Sequence, residues 1–276
     1  MNPHTAHSAS ILELFSSLWR NRRLIFQLTK RDVIGRYRGS VAGIAWSFLN
    51  PLLMLAVYTF VFSVIFKARW AVASEDSRVG FAIVLFVGII IHGLLAECIN
   101  KAPDLIMANA NYVKRVVFPL EVLPWVALGS ALFHTLISLL VLFSAQLLLG
   151  SPIPLTAVLI LVVIMPLAVV AMGFAWLLAA TSVFVRDIAQ LTGIFTSVLM
   201  FLAPVFYPIS ALPEEYRAWL YLNPLTFIIE QARAVLIAGQ SPDWSGMAIY
   251  SLASLAFAWF GFWWFQKVRK GVADVL

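Results

Sequence analysis

The stretch IPLTAVLILVVIMPLAVVAMGFAWLLAATSVFV, residues 153–185, holds no Asp, Glu, Lys or Arg in 33 consecutive positions. A helix rises about 1.5 Å per residue, so about 20 apolar residues cross a hydrocarbon layer roughly 30 Å thick. This run is long enough to span, with Pro166 as an interruption that bends rather than ends it. Working outward, comparable runs occupy 44–66, 80–97, 120–149, 188–203 and 247–265. The composition agrees: 62% hydrophobic and 12% charged, where a soluble domain carries about 25% charge. Too few polar residues remain to cover a soluble core. The expected fold is therefore an all-α polytopic membrane protein with six transmembrane helices, because helices satisfy their own backbone polar groups in lipid.

Other classes recede on simple grounds. One cysteine, Cys98, excludes an intramolecular disulfide framework and a thiolate zinc site. The net charge of +6 reads as a topology signal before a nucleic-acid one, so no nucleic-acid partner is expected. No cleavable signal peptide is expected either, since residues 1–43 are too charged. A phosphate-binding loop of the form GxxxxGK[ST] needs a Gly-Lys dipeptide, which occurs nowhere. Neither a nucleophile elbow nor a paired-carboxylate site stands out, and as an enzyme the chain looks empty. No bound cofactor, catalytic residue or metal ligand is expected. His4 and His7 lie in a polar tail, and His92 and His134 read as buried neutral side chains with local partners. Any ionisable group inside a span still invites a functional hypothesis.

The expected organisation is a cytoplasmic N-terminal segment, 1–43, a six-span domain, 44–265, and a cytoplasmic tail, 266–276. Fourteen of the 19 Lys and Arg fall before the first span, in 98–119, at Arg186 or in the tail. Basic residues concentrate on the cytoplasmic side, which places both termini there. From Ile11, apolar residues recur at helical spacing among Arg20, Arg22 and Arg23, as in a helix lying in the membrane interface or a small cytosolic lobe. Segment 98–119 reads as a short amphipathic helix, with Asn100, Lys101 and Pro103 at its start and Pro119 at its end. Its apolar face makes a docking surface, or else a solvated linker that lies on lipid, flanked by Asp104, Asn109, Asn111, Lys114 and Arg115, with Arg186 and Asp187 beside it at the other inter-span turn. Glu97, Lys101 and Asp104 have the spacing of an ion-pair ladder along one helix. Region 204–246 is cut by Pro204, Pro208, Pro213 and Pro224. Its helix-compatible pieces are too short to span and read as an outer re-entrant helix pair or as two helices lying flat.

Particular strings carry a resemblance. RYRGSVAGIAW (36–46), NPLL (50–53) and YTFVF (58–62) are similar to the start of type-2 ABC exporter membrane subunits, the permeases of O-antigen, capsular polysaccharide and teichoic acid. KRVVFP (114–119), VRDIAQ (185–190), PVFYP (204–208) and NPLT (223–226) follow in the family's order. The resemblance implies a homodimer in the cytoplasmic (inner) membrane with two separate nucleotide-binding ATPase subunits, which carry ATP and Mg. It implies that 98–119 is a coupling helix seated in the ATPase, that the N-terminal helix is an interface helix, and that the first and fifth spans line the path. The substrate it implies is a lipid-linked polysaccharide, O-antigen first, with capsule or teichoic acid as alternatives.

Two residue sets follow. Tyr58, Phe62 and Phe66 recur every fourth residue after Trp46, and Phe195, Phe201, Phe206 and Tyr207 lie on or just after the fifth span. Weak, repeated aromatic contacts suit a moving glycan, although core packing or a lipid belt explains rings equally. Lys30, Arg31, Arg36 and Arg38 sit where a polyprenyl-pyrophosphate head would arrive, or where ordinary anionic membrane lipid binds. An ion-coupled carrier or a membrane-embedded transferase is the more distant expectation.

Overall fold

The computed structural model describes residues 11–61, 78–109 and 119–275. It is all-helical, with no strand among those residues. In order come α1 (Ile11–Arg36), α2 (Trp46–Thr59), α3 (Arg78–Lys101), α4 (Val122–Leu148) and α5 (Ile160–Ser182). They are followed by α6 (Ile188–Phe201), α7 (Glu214–Leu220), α8 (Pro224–Arg233) and α9 (Trp244–Val275). Four stretches are long and apolar enough to cross a membrane: Gly80–Asp104, Val122–Leu148, Leu155–Ser182 and Trp244–Arg269. Gly43–Thr59 and Ile188–Phe201 are apolar but shorter. The chain is a multi-pass membrane protein.

The central helix is α3, packed by α2, α4, α5, α6 and α8. Residues 81–88 are buried without interruption, and Ile91, Leu94, Leu95, Cys98 and Ile99 continue the core. A helix apolar on every side belongs inside a bundle. Lipid tails are as apolar as leucine, so helices in a bilayer associate through close backbone approach and polar ties. Both occur where α9 crosses α5. A Cβ on Gly261 would stand 2.3 Å from the Gly173 carbonyl oxygen, so the two backbones touch. Nearby, Trp264 Nε1 donates to Thr181 Oγ1 at 3.0 Å, and Trp125 and Phe262 meet Trp176 edge-on.

Three features depart from the sequence reading. First, α1 is one helix of 26 residues that continues through the basic stretch to Arg36. Second, α3 runs on to Lys101, and instead of a helix from Asn100 come 3-10 turns at Ala102–Asp104 and Met107–Asn109. Pro103, which has no N–H to donate back, sits in the first of these turns. Asn111, Lys114 and Arg115 lie outside the described residues, as do Phe62 and Phe66. Third, the two short helices before α9 differ in kind. α8 is buried against α3 and α5 through Leu225, Ile228, Ile229 and Ala232, whereas α7 presents Tyr216 and Trp219 outward. Asn223 starts α8: its side chain accepts from Leu225 N at 3.0 Å and donates to Leu199 O at 2.7 Å. That one amide both caps the helix and ties it to α6.

Candidate functional site

The polar residues scattered over α1, α3 and α4 converge on one cleft. α1 lies along α4 and in the same direction. Thr29 sits against Gly129, where a Cβ would come within 2.7 Å of its hydroxyl, Asp32 meets Ser130, and Tyr37 meets His134. α3 runs the opposite way. Lys101 pairs with Asp32, and one turn further along each helix Arg36 Nη1 donates to Glu97 Oε1 at 3.0 Å. The polarity of the two pairs is reversed, acid then base on α1 and base then acid on α3. Sliding α1 by one turn in either direction would bring like charges together, so the pairs fix the register. Glu97 and Lys101 therefore do not form the ladder along α3 that their spacing suggests, because α1 takes both.

At the inner end of the cleft His134 Nδ1 lies 2.9 Å from each Glu97 oxygen and 3.1 Å from Arg36 Nη1, while its Nε2 lies 3.2 Å from the Tyr37 hydroxyl. A guanidinium donates only. The assignment that satisfies all groups has Nδ1–H and Arg36 both donating to Glu97, and Tyr37 donating to Nε2. The partners of His134 are thus 37 and 97 residues away in sequence, brought beside it by helix packing. Burial pushes the Asp32 carboxyl up, but hydrogen bonds from Lys101 and Ser130, with the nearby charges of Lys101 and Arg36, outweigh it and hold the group below its usual range. Burial also raises the Tyr37 hydroxyl, which keeps it a proton donor.

The cleft has a volume of about 770 Å³ and is lined by Arg31, Asp32, Gly35, Arg36, Glu97, Asn100, Lys101 and His134. Three basic side chains share the lining with two carboxylates; Lys101 and Arg36 are paired with Asp32 and Glu97, and Arg31 leaves a net single positive charge. Asn100 reaches Thr196 Oγ1 at 3.3 Å, and His92 Nε2 lies 3.0 Å from Thr196 O, so α6 is tied to the same helix.

The sequence-derived candidates divide. Arg31 and Arg36 line the cleft, while Lys30 and Arg38 are exposed outside its lining. Asp104 and Asn109 line a smaller pocket of about 150 Å³ beside it. Arg186 and Asp187 are exposed at the α5–α6 turn. Tyr58 and Phe206 pack together onto Phe81, Val84 and Leu85 of α3. Phe206 stacks on Phe201 at 5.6 Å, and Tyr207 donates to Phe201 O at 2.9 Å. Phe195 is exposed, 5.8 Å from Phe174, and Trp46 is exposed at the start of α2. The sequence reading missed Asp32 and Asn100 as members of the cleft, and Tyr37 as the partner of His134 behind its lining. Asp32 carried a signal: it is the single acid among Lys30, Arg31, Arg36 and Arg38.

The ABC-2 type transporter family matches residues 23–237. Among curated relatives, the O-antigen export system permease protein RfbA of Myxococcus xanthus is 25% identical over 266 residues, 96% of this chain and 99% of that protein. The capsule polysaccharide export inner-membrane protein CtrC of Neisseria meningitidis serogroup B is 25% identical, covering 96% of this chain and 97% of its own. The polysialic acid transport protein KpsM of Escherichia coli is 22% identical over 82% of this chain and 86% of its own length. With its apolar bundle and a match over most of its length, the chain belongs to the ABC-2 type transporter family.

Proposed function

We propose that this chain is the membrane-spanning permease subunit of an ATP-driven exporter of lipid-linked polysaccharide, with O-antigen as the first assignment. Capsular polysaccharide is the second reading, favoured by the likeness to CtrC and KpsM, and teichoic acid stays the third. The observation that carries the proposal is likeness along nearly the whole length to permeases that export these polymers. ATP hydrolysis then belongs to two partner subunits on the cytoplasmic face, with the α3–α4 connector and the Arg186-Asp187 turn as their contact. Two copies meet through α2 and α6, whose residues Leu53, Met54, Val57, Ile194, Phe195 and Val198 are exposed in the single chain. Both termini lie in the cytoplasm, and the protein resides in the inner membrane.

The cleft supplies a place for the substrate head. A polyprenyl pyrophosphate carries its charge at the cytoplasmic leaflet, where Arg31, Arg36 and Lys101 offer charge-assisted hydrogen bonds to phosphate oxygens. Rings on α2 and α6 offer the sugar an apolar surface. The test is surface glycan on cells carrying the chain with and without a nucleotide-binding ATPase subunit of the same exporter class. Export abolished without the ATPase supports the reading; export that persists, driven by an ion gradient, sinks it. Replacing Arg31 and Arg36 together by Gln is expected to cut export of a folded, assembled complex about tenfold or more. Unchanged export would remove the head-group role from the cleft.

A further inference from the structure

A third buried or half-buried ion pair stands apart from the two in the cleft. Arg269 Nη1 on α9 donates to Glu121 Oε2 at 2.7 Å, and the two side chains are 17% and 8% exposed. Glu121 occupies the position before α4 but does not fold back onto that helix's own N–H groups. Its carboxylate goes to α9 instead. A charge this buried is tolerated only with its partner in place, so the pair is a constraint on the two elements it joins.

Those elements are the far end of the α3–α4 connector and the outermost helix. The near end of the connector is held separately. Lys101 pairs with Asp32 on α1, and Ser182, the last residue of α5, donates to Pro103 O at 2.8 Å. Ala102, Pro103, Leu105 and Ile106 are buried at the near end, and Leu120, Val122 and Leu123 at the far end, whereas Met107 and Ala108 are exposed. The described ends of the connector are thus held by α1 and α5 on one side and by α9 on the other. α9 packs chiefly on α5, and the Glu121–Arg269 pair ties it to the far end of the connector.

We propose that Glu121 and Arg269 are positioning residues for energy coupling: the pair makes α9 move with the α3–α4 connector, so that displacement of the connector by an ATPase partner reaches the outer helix as well as the central one. The proposal rests on the permease reading above. Its test uses the permease–ATPase complex in proteoliposomes, with surface glycan measured on cells. A Glu121→Gln/Arg269→Gln double variant leaves no unpaired buried charge. It is expected to assemble and melt as the wild type does and to hydrolyse ATP at a rate within about twofold, while glycan exported per ATP falls about tenfold. The crossed variant Glu121→Arg/Arg269→Glu is expected to recover export per ATP to within about threefold of the wild type. Wild-type coupling in the neutral variant overturns the proposal, as does a folded crossed variant without recovery. Failure of both variants to assemble makes the pair a folding element and overturns it equally. The permease reading fails differently, by wild-type export that survives loss of the ATPase.

Discussion

Replacing Gly261 by Ala puts the α5–α9 crossing to a quantitative test. The new Cβ would lie 2.3 Å from the Gly173 carbonyl oxygen, where ordinary contact begins at 3.4 Å. The obstacle is backbone, so α9 must retreat by about 1 Å rather than turn a rotamer. A radial gap of about 0.5–1 Å already forfeits a quarter to a half of a dispersion contact, and overpacking of this kind costs about 1–3 kcal/mol. Against it stands the helix preference of Ala over Gly, worth about 1 kcal/mol at most. The crossing also holds Trp176 against Phe262 and Trp264 against Thr181, and both contacts loosen with it. Net destabilisation of about 1–3 kcal/mol lowers the midpoint of thermal unfolding by roughly 2–12 °C. Tryptophan fluorescence during heating in detergent follows it, since Trp176 and Trp264 report on this interface. Gly93→Ala is the control: it lies in α3 with nothing within 4 Å of its Cβ, and there only the helix preference acts. The reasoning is refuted if Gly261→Ala melts no lower than the wild type, or no lower than the Gly93→Ala protein.

Two further outcomes are expected. Because the Asp32 carboxyl is depressed below its ordinary value of 3.8, the stabilisation it provides is complete above that value and is lost as pH falls through the folded one. Thermal scans across the acid range should show a steep loss in the wild type and a shallower one in Asp32→Asn; equal slopes would remove the pair from the acid response. Asn223→Ala removes both the α8 cap and the bond to Leu199 O, about 2 kcal/mol in all, whereas Asn223→Ser keeps a capping oxygen and loses about half as much. Hydrogen exchange of the α8 amides measures both, and equal protection in the two variants would contradict the dual role.

Much of the fold is legible in the chain because lipid imposes a local rule. A run such as 153–185 has to be helical whatever it packs against. The proline and asparagine at 223–224 announce a helix start for an equally local reason, since one side chain and one missing N–H decide it. The candidate site is legible only in part. Arg31 and Arg36 stand out as basic residues before a span, but their pairing is invisible there, because the spacing of Glu97 and Lys101 serves a pair along one helix as well as pairs between two. Tyr58 illustrates the same limit: a ring on an apolar helix gives no sign of which face meets α3.

Hydropathy, proline position and motif order are properties of neighbouring residues, and they suffice to define a helical, multi-pass membrane protein of a transporter family. Which charges meet is settled by the packing of whole helices. Asp32 with Lys101, Arg36 with Glu97 and Glu121 with Arg269 join residues 69, 61 and 148 positions apart. Such pairs depend on helix direction and register, which are set when whole helices pack and close-approach glycines bring their backbones together.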